Sequence, residues 1–260
     1  MSPYLAGPGP VAIAHRGGGL EAPENSRAAV EHVVALGLRY LETDVRATSD
    51  GVPVLMHDPT VDRTTDGSGA VAELTWDQVS RLRDASGAPP LRLADVLADH
   101  PRLRLNLDAK DERAVAPMAR VIRAAGAQDR VCVASFDDRR VRDLRAALDG
   151  RVCSSLGRQE SARLVLAARL PRAARRRVLA HLPGPEQNVL CVQVPERFRG
   201  VPVVTSAFVS VAHEHGLAVH VWTVDEVADM ERLLDLGVDG LVSDRPTRLR
   251  EVLQARGPWH

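Results

Sequence analysis

Four short segments of this chain carry side chains suited to chemistry. His15-Arg16-Gly17 closes one apolar run, Glu42 and Asp44 stand two apart in a second, and His57-Asp58 ends a third. Farther on, Asp108 and Lys110 repeat the two-apart spacing. Residues two apart on a strand point to the same face, so each pair aims both side chains at one place. Carboxylates arranged that way suit an oxygen-loving cation. Two nearby histidines suit proton transfer in both directions at neutral pH. Of the 34 Lys and Arg residues, Lys110 is the single lysine. A chain that writes its other cations as arginine keeps a compact ammonium beside Asp108, where a planar guanidinium does different work.

The elements that must position these groups follow from the hydrophobic pattern. Strand-like runs occur at 11–15, 40–46, 103–108, 131–135, 152–156, 189–193, 218–223 and 240–243. Helical periodicity fills 27–36, 76–83, 93–99, 112–125, 139–147, 160–169, 206–215 and 226–236. Glycines at the helix ends, as in Leu36-Gly37 and Ala125-Gly126, support the division. Eight such units in a chain of this length predict a (β/α)8 TIM barrel, one domain over 1–260. A doubly wound open sheet is the runner-up, but no Gly-rich phosphate loop opens the first helix. The segment at about 50–95 exceeds an ordinary βα connection and is predicted to be an insertion between the second and third barrel strands. It holds a hairpin strand, Val52 to Met56, that would carry His57 to the barrel's loop face. In a barrel, functional side chains sit at the C-terminal ends of strands. His15, the Glu42/Asp44 pair and the Asp108/Lys110 pair end three successive strands, and His220 and Trp222 end the seventh.

Bulk properties narrow the class. With 260 residues the chain can bury a full core. A formal net charge of zero and a pI near 7.1 give no electrostatic reason for nucleic acid or an anionic membrane as partner. The start, MSPYLAGPGP, lacks the basic and long apolar regions of a secretory signal, and no run is long enough to span a membrane. A cytoplasmic protein without a stable membrane anchor is expected. Cys132, Cys153 and Cys191 lie in separate apolar runs without zinc-ligand spacing, and are read as buried reduced thiols. The Arg172–Arg177 run is read as a solvated helix end, and His220 as a structural polar group below the site.

Each feature alone has a plainer explanation. Glu42 and Asp44 could pair with arginines, Asp108 with Lys110 could be a buried ion pair, His15 a core histidine, and His57-Asp58-Pro59 a turn. Jointly these require several costly buried polar groups on one rim without a purpose.

The sequence resembles the glycerophosphodiester phosphodiesterase family over almost its whole length. AHRGGGLEAPENS at 14–26, YLETDVRATSDGVPVLMHDPTVDRTTDGSG at 40–69, LNLDAK at 105–110, VWTVDE at 221–226 and GVDGLVSDRP at 237–246 carry the likeness. The ordered set HRG, PEN, ExD, DG and HD is specific, whereas single pieces would be weak. The resemblance implies one divalent cation, Mg²⁺ or Ca²⁺, at Glu42, Asp44 and Asp108. It implies His15 and His57 as the acid–base pair and Arg16 as a phosphate contact. It further implies Lys110 near the phosphate, Glu24 and Asn25 lining the site, and Trp222 as a pocket wall. One departure stands out: Asp108 occupies a metal position where many relatives carry Glu, which puts metal preference in doubt more than activity.

The implied reaction is hydrolysis of a small glycerophosphodiester to glycerol 3-phosphate and an alcohol. Attack by the substrate's 2-hydroxyl, through a cyclic phosphate, and direct attack by water both stay open. So do the alcohol group, the oligomeric state and which histidine is the acid. Two alternatives compete. A lysophospholipase D-like or phosphoinositide-cleaving relative would need an apolar channel, which the polar stretch at 60–75 does not suggest. A non-catalytic phosphate-ligand-binding barrel would be expected to have lost a histidine or a carboxylate, and none is lost here.

Overall fold

Runs rich in Val, Leu, Ile and Ala that are buried on both faces pair in parallel, because water has no access to either side. The computed structural model describes residues 3–260. Its strands are β1 (Val11–His15), β2 (Tyr40–Ala47), β3 (Pro53–Leu55), β4 (Arg104–Ala109), β5 (Val131–Ala134) and β6 (Cys153–Ser155), followed by β7 (Val189–Pro195), β8 (Arg197–Phe198), β9 (Val201–Pro202), β10 (Ala218–Trp222) and β11 (Gly240–Ser243). The order β1-β11-β10-β7-β6-β5-β4-β2 closes when β1 pairs back onto β2. This is the predicted barrel of eight parallel strands, and β3 hangs antiparallel on β2.

The helices are α1 (Arg27–Ala35), α2 (Trp76–Val79), α3 (Leu93–Asp99), α4 (Glu112–Ala124), α5 (Asp138–Ala147), α6 (Arg158–Ala168), α7 (Arg172–Leu179), α8 (Ser206–Glu214), α9 (Val227–Asp235) and α10 (Pro246–Arg256). Local chemistry sets their ends. Ser26 caps α1 by accepting from Ala29 N, and Asp111 caps α4 by accepting from Ala114 N. Gly37 and Gly126 take the positive φ that stops those helices. Three differences from the sequence expectation have physical reasons. The 76–83 helix shrinks to α2, closed on itself by a Thr75/Gln78 capping box. The arginine run is a helix in its own right, α7, rather than a helix end: Pro171 at its N-cap separates it from α6. The α10 helix, opened by Pro246, went unforeseen, although its Leu249, Val252 and Leu253 are buried.

Three apolar clusters follow from this topology. The largest lies between barrel and helices. A second fills the barrel floor with Tyr4, Val11, Ile13, Tyr40, the three cysteines and Val242. A third, of Val54, Met56, Val61 and Val71, supports the segment that leads β3 back towards β4. It fixes the end of β3, and with it His57. No helix among the described residues is long and apolar enough to cross a membrane.

Candidate active site

Strand register decides what meets at the rim. His15 lies beside Glu42 across β1 and β2, and Asp44 lies beside Asp108 across β2 and β4. Their side chains border one cavity of about 500 Å³, together with Arg16, His57, Lys110 and Trp222. Eight of the ten residues singled out from the sequence thus share a single basin.

Both histidines are held the same way. His15 Nδ1 lies 2.8 Å from Asp244 Oδ1, and His57 Nδ1 lies 2.7 Å from Asp58 Oδ1. An ionised carboxylate only accepts, so each Nδ1 carries the proton and each neutral ring keeps Nε2 for the cavity. Burial opposes charge on His15, but the hydrogen bond to Asp244 and the nearby Glu42, 3.8 Å from Nε2, outweigh it and raise its pKa. Asp58 is itself gripped by Arg63, whose Nε lies 2.6 Å from Oδ2, and its pKa falls well below the usual carboxylate range.

The acidic trio faces an ammonium and a guanidinium. Lys110 Nζ lies 2.7 Å from Asp44 Oδ1 and 2.6 Å from Asp108 Oδ2. Arg16 Nε stands 3.2 Å from Asp44 Oδ2, which also accepts from Asn25 Nδ2 at 3.1 Å. Burial would raise the Asp44 pKa, yet Lys110 and Arg16 pull it below its ordinary value. Burial works against the Lys110 charge too, and Asp108 and Asp44 more than restore it. Glu42 is less well compensated: His15, at 3.8 Å, and Lys110 offset its charge only in part. Burial, aided by repulsion from Asp44, pushes its pKa up to about 7. Asp108 Oδ1 is buried without a hydrogen-bond partner. The basin as it stands is short of positive charge.

Glu24 and Asn25 fall one layer behind the cavity wall. Glu24 takes Arg16 at 3.1 Å and Arg63 at 2.7 Å, and these arginines overcome its burial to lower its pKa. Asn25 is buried, donates to Asp44 and accepts from Thr43 Oγ1. Arg16 and Asn25 both adopt positive φ, 52° and 55°, and Asn25 N donates to Arg16 O at 2.9 Å. Strained backbone of this kind persists where the surroundings over-determine it. Gly17 lets the loop approach α1 closely, since a Cβ there would meet that of Ala29 at 2.5 Å.

The opposite wall of the cavity is apolar, built from Phe136, Leu156, Val165, Phe198, Val203 and Trp222. Phe136 packs edge-on to Trp222, with ring centroids 5.7 Å apart. Of this wall the sequence pointed to Trp222 and not to the others, which come from separate strands and their connections. Sequence reasoning also missed Asp244, for which a signal existed: that residue immediately follows the last barrel strand, the position where barrel sites are built.

Residues 15–248 match the glycerophosphoryl diester phosphodiesterase family. Over 257 residues, covering 98% of this chain and 95% of the relative, the chain is 41% identical to probable glycerophosphodiester phosphodiesterase 2 of Mycobacterium tuberculosis. It is 28% identical over 263 residues to a glycerophosphodiester phosphodiesterase of Caldanaerobacter subterraneus subsp. tengcongensis, covering 94% and 98% of the two chains. The crystal structure of a glycerophosphodiester phosphodiesterase from Agrobacterium tumefaciens shares the fold, with a TM-score of 0.75 at 22% identity over 94% of this chain and 99% of that one.

Proposed function

The chain belongs to the glycerophosphoryl diester phosphodiesterase family and is an enzyme of that class; from this premise we propose that it cleaves glycerophosphodiesters to glycerol 3-phosphate and an alcohol, with His15 and His57 as the acid–base pair. The observation that carries the reading is a shared cavity bordered by two imidazoles, each with Nδ1 tied to a carboxylate. One ring removes a proton from the attacking oxygen, and the other protonates the departing alcohol. Attack by the 2-hydroxyl or by water would use the same two rings. Arg16 and Lys110 supply fixed positive charge where negative charge builds up on the phosphoryl oxygens. Asp244 and Asp58 keep the rings oriented. Glu24 and Asn25 act from behind, holding Arg16 and Asp44.

Glu42, Asp44 and Asp108 would hold one divalent cation, Mg²⁺ or Ca²⁺. The donor set fits a hard ion, since all three are oxygen ligands, Asp108 Oδ1 lacks a partner and the charge of Glu42 is only partly compensated. When bound, such an ion polarises phosphoryl oxygens and makes a coordinated hydroxyl easier to deprotonate. Lys110 is the ammonium with which the ion would compete for Asp44 and Asp108. The test is turnover of glycerophosphocholine, glycerophosphoethanolamine and glycerophosphoinositol, first with chelator and then with Mg²⁺, Ca²⁺ or Mn²⁺ restored. Activity is expected to vanish and return with one ion; full activity in chelator would overturn the metal assignment.

The apolar wall favours a second reading, in which the alcohol half of the substrate is itself apolar, as in a lysophospholipid. Phe136 and Phe198 on that wall are 52% and 60% exposed, so a chain lying across them would cover surface that water now meets. Glycerophosphocholine and lysophosphatidylcholine assayed side by side distinguish the two.

A further inference from the structure

Beneath the catalytic basin the barrel interior changes character. Cys132, Cys153 and Cys191 enter the floor from three consecutive strands, β5, β6 and β7, with Cys132 in register with Cys153 and Cys191 with Ser155. All three are free thiols, 0%, 2% and 0% exposed. Their sulfurs lie within 4.8 Å of one another, and Cys132 Sγ is 3.8 Å from Cys191 Sγ. A tetrahedral zinc with Zn–S bonds of about 2.3 Å has sulfur–sulfur edges of about 3.8 Å. We propose that Cys132, Cys153 and Cys191 form a buried thiolate site for one thiophilic divalent cation, zinc foremost, separate from the carboxylate trio at the rim; His220, which stands outside the 4.8 Å group of sulfurs, would move towards them to complete four-coordination.

His220 is the independent observation. It is fully buried, and its ring engages the Cys191 thiol, a weak hydrogen-bonding group. An imidazole sealed from water with a thiol for its partner is costly, because sulfur offsets little of the lost hydration. The ring lies against the Cys191 thiol and, after Cys132 and Cys153, helps to lower that thiol's pKa. Gly240, opposite His220 in the β10–β11 register, makes room for it: a Cβ there would meet His220 Cδ2 at 2.8 Å. Three small apolar fillers would need neither the imidazole nor the gap. Burial raises the pKa of Cys132 and Cys153, so loading displaces protons: M²⁺ plus three thiols and a neutral imidazole gives an anionic M(S)₃N centre and three H⁺. On the same floor Arg104 supplies positive charge, with Nη1 3.1 Å from Tyr4 O and its guanidinium over the Tyr40 ring. Thiolate and imidazole select zinc or cobalt, whereas an all-oxygen trio selects magnesium or calcium.

The test is to express the full chain in cobalt-supplemented medium, dialyse it against EDTA, and record the absorption spectrum and metal content. The expected result is about one Co²⁺ per chain with thiolate-to-cobalt charge-transfer bands and the d–d bands of tetrahedral coordination. Asp44→Asn, which removes a rim carboxylate, should leave both unchanged. Cys153→Ser should abolish the charge-transfer bands and the EDTA resistance, and His220→Gln should abolish the resistance. Wild-type protein without charge-transfer bands overturns the proposal whether or not the variants fold. So does retained cobalt that is lost in Asp44→Asn but kept in Cys153→Ser. Because the readout is spectroscopic, failure here leaves the rim assignment and its activity assays untouched.

Discussion

The rim and the floor of this barrel are both built from strand residues of one closed sheet, yet they hold opposite chemistries. Along β2 the series runs Tyr40, Glu42, Asp44, from an aromatic ring at the floor to a carboxylate at the rim. β5 and β6 begin their inward series with cysteine. At the rim, partial exposure and a surplus of carboxylate leave charge to be neutralised by whatever enters. At the floor, exclusion of water makes unpaired polar atoms expensive, and three thiols and a buried imidazole stand among apolar and tyrosine side chains. Height in the barrel, together with which strands contribute, separates a wet oxygen site from a dry sulfur one.

The sharpest break in that contrast comes from the rim histidines. His15→Ala and His57→Ala are each expected to lower kcat by about 10²–10⁴-fold with little change in Tm, the reach of general acid–base catalysis. Near-wild-type turnover in either variant would remove that residue from the reaction. Next in size is Lys110→Ala, which strips the ammonium from Asp44 and Asp108. Breaking a buried ion pair costs about 3–5 kcal/mol, and added Mg²⁺ or Ca²⁺ should recover much of the lost Tm if the cation takes the vacated charge. No recovery in a thermal melt with and without the ion would mean the trio does not bind it.

A smaller effect sharpens the floor. His220→Leu replaces a buried ring, paired with a thiol, by an apolar side chain. In a floor without an ion it should raise stability by about 1 kcal/mol, since a thiol offsets little of the cost of burying the ring. In a zinc-loaded floor it should lower Tm, the outcome expected here and readable by calorimetry of protein expressed with zinc. The smallest shift concerns Asp244→Asn. Asp244 helps raise the His15 pKa against burial, and without its charge burial and Arg16 weigh more heavily. The limb of the pH–rate profile that belongs to His15 should therefore move to lower pH. An unmoved profile would show that Asp244 only orients the ring.

Much of the rim was legible in the sequence, because each chemical pair lies on one strand and the two-residue period fixes its direction. Glu42 and Asp44 needed no tertiary information to be read as sharing a face. His57 was harder, since its position depends on β3 folding back along β2, yet the short apolar run ending in histidine signalled it. Glu24 and Asn25 were found as part of the site's neighbourhood but not as its second layer, because burial depth depends on loops whose path no local pattern encodes. The thiols illustrate the limit most clearly. Their separation along the chain lacks any metal-ligand spacing, so they read as three unrelated core residues.

What the chain's order of residues determined by itself is the alternation of eight buried strands with amphipathic helices, the caps and glycines that divide them, and the polar ends of the first strands. These are local consequences of period, propensity and turn chemistry. Closure of the barrel decided the rest. Pairing β1 with β11 brings Asp244 to His15 across the whole length of the chain, and adjacency of β5, β6 and β7 draws three distant cysteines within 4.8 Å. Side-chain direction is set by neighbouring residues, whereas convergence is set by which strands become neighbours. That choice belongs to the closed sheet as a whole.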